Sequence, residues 1–201
     1  VNQRLAVWAL QRRGWRLVGE APRLPKYLIV FGPHTCNWDF PLAMLAAAGF
    51  GIHLRWLGKH TIFRWPVAGF LRRLGGIPVH RERHEGVVEQ VAAAFSAADT
   101  LVIGMTPEGT RTPLPYWRSG FYHMAQAAGV PIVPASLDRP SRQITIGRAL
   151  LPSGDVPRDM DAIRAFFDGV RGIHPEKAGA IRLREEEGLP WSRAGGTPGS
   201  R

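Results

Sequence analysis

The chain has 201 residues, 45% of them hydrophobic and 21% charged, a balance that suits one well-buried domain and excludes an intrinsically disordered chain. Its 26 basic residues against 16 acidic ones give a formal net charge of +10; such a surface attracts phosphates, anionic lipid headgroups or nucleic acid, and charge alone does not choose among them. No apolar run approaches the roughly 20 residues that cross a bilayer, no secretory signal pattern surrounds Arg4, Arg12 and Arg13, and the single cysteine, Cys36, allows no internal disulfide and fits a reducing cytosol.

Leu5, Trp8 and Trp15 fall close to helical spacing with Arg4, Arg12, Arg13 and Arg16 interleaved, so residues 2–18 are expected to form a basic amphipathic helix. Pro22 and Pro25 break the chain. Tyr27–Phe31 is a short apolar run ending at Gly32-Pro33, which suits a buried strand. A helix over Phe40–Ala48 and a strand over Ile52–Leu57 follow. The next helix is expected over Phe63–Leu74, with Phe63, Val67, Phe70, Leu71 and Leu74 on one face and Pro66 in its first turn. Gly75-Gly76 ends it, and Ile77–His80 is a strand. Beyond lie a helix over Val87–Ala98, a strand over Thr100–Met105 and a helix over Gly120–Ala128. Strands over Val130–Leu137 and Gln143–Leu150 precede a last helix over Met160–Val170, whose apolar face is Ile163, Phe166, Phe167 and Val170.

This alternation predicts a single-domain α/β fold, a mostly parallel mixed sheet flanked by helices. The domain is expected over residues 21–191, after an amphipathic helix within residues 1–20. A Gly-, Ser- and Pro-rich flexible tail is expected over 192–201.

Three polar clusters each follow an expected strand, where an α/β sheet collects its site residues. After Tyr27–Phe31 comes His34-Thr-Cys-Asn-Trp-Asp39. A histidine titrates near neutral pH and can take a proton from an alcohol, while a carboxylate across the turn can hold its other ring nitrogen. The plainer alternative is a loop histidine, with Asp39 capping the next helix. After Thr100–Met105 comes Thr106-Pro-Glu-Gly-Thr-Arg111. Gly109 lets backbone approach a ligand, and Arg111 presents a fork that suits phosphate; alternatively Glu108 and Arg111 pair with each other. Gly76-Ile-Pro-Val-His-Arg81 places Arg81 at a strand end, with Arg83 a rival and a solvated surface role the alternative. His80 and His84 have no further obvious ligand, so no metal site is expected. Cys36 invites a nucleophile reading, which needs an activated thiolate.

Taken in order, His34–Asp39, Gly76–Arg81, Pro107–Arg111 and Val130-Pro-Ile-Val-Pro134 resemble the four blocks of the glycerolipid acyltransferase family, of the lysophosphatidic acid (1-acyl-sn-glycerol-3-phosphate) acyltransferase type. The first block of that family is H-x-x-x-x-D, the second ends in arginine, the third is P-E-G-T-R and the fourth is an apolar V-P-I-x-P-like strand. The resemblance runs from about Leu24 to Leu150. It implies a glycerolipid-acyltransferase-like fold in which His34 deprotonates the acceptor hydroxyl and Asp39 orients it. Arg81, Glu108, Gly109, Thr110 and Arg111 would bind the phosphate-bearing end of a lysophospholipid. The alcohol would attack an acyl thioester directly, acyl-CoA or acyl carrier protein serving as co-substrate and no cofactor or metal being needed. Two departures stand where the acceptor should sit. Pro78 and His80 replace the more aromatic and acidic residues of many relatives, and Arg118 stands near a position where relatives often carry lysine.

Amphiphilic substrates imply an anionic membrane surface as partner, met peripherally from the cytoplasmic face. The helix expected within residues 2–18 is the foremost candidate for contact, with Trp8 and Trp15 at headgroup depth; much of Phe63–Leu74 is expected in the core. The other class compatible with the charge is a nucleic-acid-binding protein, which has no account of Pro107–Arg111 and shows no zinc-finger spacing or RNA-recognition signature, so no nucleic acid partner is expected. Acylation of a different lipid or sugar hydroxyl is the alternative within the enzyme class.

Overall fold

The computed structural model describes residues 2–79, 86–109 and 114–190; the expected tail over 192–201 lies outside them. The Asn2 side chain caps the first helix, α1 (Gln3–Gln11), by accepting the Arg4 N–H at 3.0 Å. Ala6 and Leu10 point inward. Gly14 then adopts the left-handed conformation (φ 76°) that ends a helix at little cost. The Trp15 N–H turns back to the Leu10 carbonyl, and Arg16–Val18 form strand β1. The single helix expected over 2–18 is therefore a shorter helix, a glycine turn and a strand. Trp15 belongs to the core at 5% exposure, whereas Leu5 and Trp8 are 56% exposed.

The remaining elements are β2 (Lys26–Gly32), α2 (Asp39–Gly49), β3 (Leu54–Lys59), α3 (Ala68–Arg73), β4 (Gly76–Val79) and α4 (Val87–Ala97). They continue with β5 (Leu101–Met105), α5 (Gly120–Ala128), β6 (Ile132–Asp138), β7 (Gln143–Ile146) and α6 (Val156–Phe167). The sheet order is β1-β7-β6-β2-β5-β3-β4. Every neighbouring pair is parallel except the β6–β7 hairpin, which is the mixed α/β architecture the alternation predicts.

Strand β2 is central and covered on both sides, which is why its sequence is apolar without a break. Leu28 and Val30 join the core formed with Phe95, Phe121, Ile163 and Phe167 on one side. Tyr27, Ile29 and Phe31 join Leu10, Leu42 and Ile144 on the other.

The largest departure from expectation is the helix over Phe63–Leu74, which begins only at Ala68. Pro66 disfavours helical backbone at Trp65 and donates no N–H. The expected apolar face is split: Phe63 is buried and Leu71 and Leu74 are half-buried, but Phe70 is 63% and Val67 49% exposed, with Trp65 beside them at 93%. Among the described residues no helix is long and apolar enough to cross a membrane.

Burial separates the two N-terminal tryptophans. Trp15→Ala should cost about 3–5 kcal/mol of stability. Trp8→Ala should fall within about 0.5 kcal/mol of the parent. Denaturant unfolding of the two variants checks both values.

Candidate active site

Strands β2 and β5 are hydrogen-bonded neighbours, with Val30 opposite Met105. The loops that leave their carboxyl ends therefore meet, as they do in parallel sheets generally. A direct bond joins them: the Glu108 Oε2 accepts the His34 backbone N–H at 3.0 Å.

Asp39 opens helix α2 and is fully buried. A buried carboxylate is tolerable only with donors around it. Its Oδ2 accepts the backbone N–H of Thr35 at 2.6 Å and of Cys36 at 2.8 Å, and the Cys36 thiol donates to Oδ1 at 3.5 Å. The His34 Nδ1 lies 3.3 Å from the same Oδ2, an ion-pair approach without the alignment of a strong hydrogen bond. From the far side, the Thr35 hydroxyl accepts the His174 N–H at 3.1 Å. The loop from His34 to Asp39 is thus held by the helix it precedes, by the β5 loop and by the segment after α6.

Burial pushes the Asp39 carboxyl up, but the approach of His34 and the hydrogen bonds from Cys36 and Thr35 outweigh it and hold the group below the usual range. Glu108 goes the other way: burial pushes its carboxyl up to about 7, against which the His34 N–H compensates only in part. Two carboxyls beside one histidine thus shift in opposite directions, and below about pH 7 Glu108 is chiefly protonated while Asp39 stays ionised. Cys36 is raised, chiefly by burial and further by the Asp39 charge. That disfavours the thiolate that a nucleophilic role would need.

His34 stands at the wall of a cavity of about 1240 Å³. Apolar lining comes from Phe31 and Phe50 and from Ala43, Ala46 and Ala47 of α2, whose small side chains leave space between helix and sheet. The polar part includes Arg118, Ser119, Arg184 and Glu185.

Of the residues the sequence singles out, His34, Asp39, Glu108 and Gly109 come together here; Arg81, Thr110 and Arg111 lie outside the described residues. Gly109 is left-handed (φ 62°), and a Cβ on it would stand 2.8 Å from the Arg118 Nε. The left-handed backbone favours glycine there, and the missing Cβ leaves room for that guanidinium across the turn. Arg118 also bonds the Pro107 carbonyl through its backbone N–H, so the residue near the lysine position of many relatives does reach the Pro-Glu-Gly turn. Arg184 and Glu185 had no sequence signal, because a long chain separation hides their approach. Glu185 lies 3.1 Å from the His123 Nε2. Burial pushes its carboxyl up, and bonds from Ser119 and His123 bring it below the usual range.

A mostly parallel sheet with a His–Asp contact on a buried carboxylate and an apolar cavity at its carboxyl edge defines the class: an α/β enzyme domain. The acyltransferase family profile matches residues 18–138, well over half of the chain. Escherichia coli (strain K12) 1-acyl-sn-glycerol-3-phosphate acyltransferase is 30% identical over 138 residues, which cover 60% of this chain and 56% of that protein's length. The crystal structure of the 1-acyl-sn-glycerophosphate (LPA) acyltransferase PlsC from Thermotoga maritima shares the fold, with a TM-score of 0.59 over 83% of this chain and 76% of that one, at 17% identity. The chain belongs to the acyltransferase family.

The raised Glu108 carboxyl has a measurable consequence for stability. Between its ordinary value of 4.5 and its folded value of about 7 the folded protein holds a proton that the unfolded chain has released. Its favourable contribution is therefore complete below about pH 4.5 and is lost as pH rises toward 7. Glu108→Gln keeps an oxygen for the His34 N–H and cannot ionise. Melting temperatures measured from pH 4.5 to 7.5 should decline less in this variant than in the parent.

Proposed function

We propose that the protein transfers a fatty acyl group from an acyl thioester, acyl-CoA or acyl carrier protein, to the free hydroxyl of a lysophospholipid such as 1-acyl-glycerol-3-phosphate. The observation that carries this reading is the approach of the His34 Nδ1 to the buried, ionised Asp39 at the wall of an apolar cavity. With Nδ1 turned to a carboxylate, Nε2 is the nitrogen left to accept a proton.

In the proposed reaction the acceptor hydroxyl attacks the thioester carbonyl while His34 Nε2 takes its proton. Asp39 stabilises the imidazolium that forms. The tetrahedral intermediate collapses with cleavage of the C–S bond, and the proton passes from His34 to the departing thiolate. No covalent acyl-enzyme is needed. The space between α2 and the sheet suits an acyl chain, because its lining there, Phe31, Phe50 and the small Ala43, Ala46 and Ala47, is apolar. Arg118, laid across the Gly109 turn, is a cation of the kind that holds a phosphate. The family and the E. coli relative support a glycerolipid acceptor.

Purified protein incubated with acyl-CoA and a panel of acceptors, read by release of free thiol, tests the activity. A lysophospholipid should be the acceptor that releases thiol. Thiol release with none of the panel would overturn the assignment. His34→Ala should lower turnover by about a hundred- to ten-thousandfold, the usual worth of a general base, with an unchanged melting temperature. Asp39→Asn should cost no more than that, through loss of the ring's tautomer and orientation.

A further inference from the structure

We infer that the exposed aromatic and basic segment from Ile62 to Arg73 is a docking surface for an anionic lipid bilayer and brings the mouth of the His34 cavity against the membrane. The inference rests on the proposed function for its lipid substrates. The surface itself stands on burial and charge.

Trp65 is 93% exposed, Phe70 63%, Val67 49% and Ile62 45%. Side chains of this kind seldom gather on a soluble surface without a partner to cover them. A tryptophan in particular favours the boundary between headgroups and acyl chains. Arg64, Arg72 and Arg73 are exposed among them, and the sequence has no aspartate or glutamate from residue 40 to residue 81. Among the described residues no acidic side chain pairs with these arginines. Apolar groups flanked only by cations match the interior and the headgroups of an anionic bilayer, and that charge pattern is what selects lipid over an apolar protein face.

The patch is continuous with the cavity. Ile62 lines the cavity and is also exposed, and so is Phe40, one residue beyond Asp39. Rings connect the two regions: Phe40 meets Trp56 edge-on at 5.0 Å between centroids, and Trp56 stacks on Phe63 at 5.8 Å. Trp38, in the His34 loop, is 72% exposed. A bilayer resting on Trp65 and Phe70 would adjoin the opening through which an acyl chain has to pass. Neither Trp65 nor Phe70 lines the cavity, so both can be changed without touching the site.

The test is co-sedimentation with vesicles of phosphatidylglycerol and phosphatidylcholine, run beside turnover of a short-chain, water-soluble acceptor and a thermal melt. The parent should bind anionic vesicles and release them as salt rises. The double variant W65A/F70A should bind more than tenfold more weakly, consistent with loss of two buried aromatic side chains. R72Q and R73Q should each weaken binding about fivefold. All these variants should keep the parent's melting temperature and its short-chain turnover. Vesicle binding by W65A/F70A equal to the parent's would overturn the inference, and so would its loss in Trp8→Ala instead, which would assign docking to α1. A dimer that depends on Trp65 and Phe70, in a parent that ignores vesicles, would overturn it in favour of self-association. Patch-dependent vesicle binding by a protein that acylates no acceptor would uphold the docking surface and reject the proposed function.

Discussion

A single oxygen, Oδ2 of Asp39, accepts the backbone N–H groups of two loop residues and faces the ring of a third. Burying an ionised carboxylate is costly unless donors surround it, and here the donors come from the loop the carboxylate has to organise. The helix α2 assists, since an acid in its first turn meets the positive end of the helix dipole. Remove the charge, and the loop loses the reason for its shape as well as the partner of His34. Loop structure and the placement of the His34 ring therefore share one group at this site, and the two are not separable by position.

Parallel pairing carries that local order outward. Because β2 and β5 are neighbours, Glu108 reaches the His34 backbone and adds a second carboxyl with the opposite response to burial. Asp39 is rich in donors and stays ionised; Glu108 is poorer in them and holds a proton more readily. This division lowers the negative charge around His34 as pH falls below about 7. An anionic acceptor would meet less repulsion as a result.

Elements whose neighbours lie close along the chain were legible in the sequence. β2 could be read from its unbroken apolar run, since both faces are covered, and α5 matches its expected span residue for residue. The His34–Asp39 pair was legible because a short spacing and a strand end suffice to bring the two together. Legibility failed where a backbone constraint overrode side-chain periodicity. Gly14 diverts Trp15 from the face that Leu5 and Trp8 share, and Pro66 delays α3 so that Phe70 points to solvent. Both segments keep a helical rhythm in their letters, and only the position of one residue within each decides otherwise. The meeting of Arg184 and Glu185 with the cavity wall belongs to tertiary packing, which no local pattern encodes.

Among the described residues the edge strand β1 pairs with β7 alone, a strand that enters the chain far later. In the folded chain α1 and Trp15 are covered by segments that follow them. Their docking must await both the β6–β7 hairpin and the helix α2 on which α1 rests. Contacts of such long sequence separation form slowly and leave apolar surface open meanwhile. The N-terminal clasp is thus built from the two ends of the sheet's chain order, and its closure depends on segments more than a hundred residues apart.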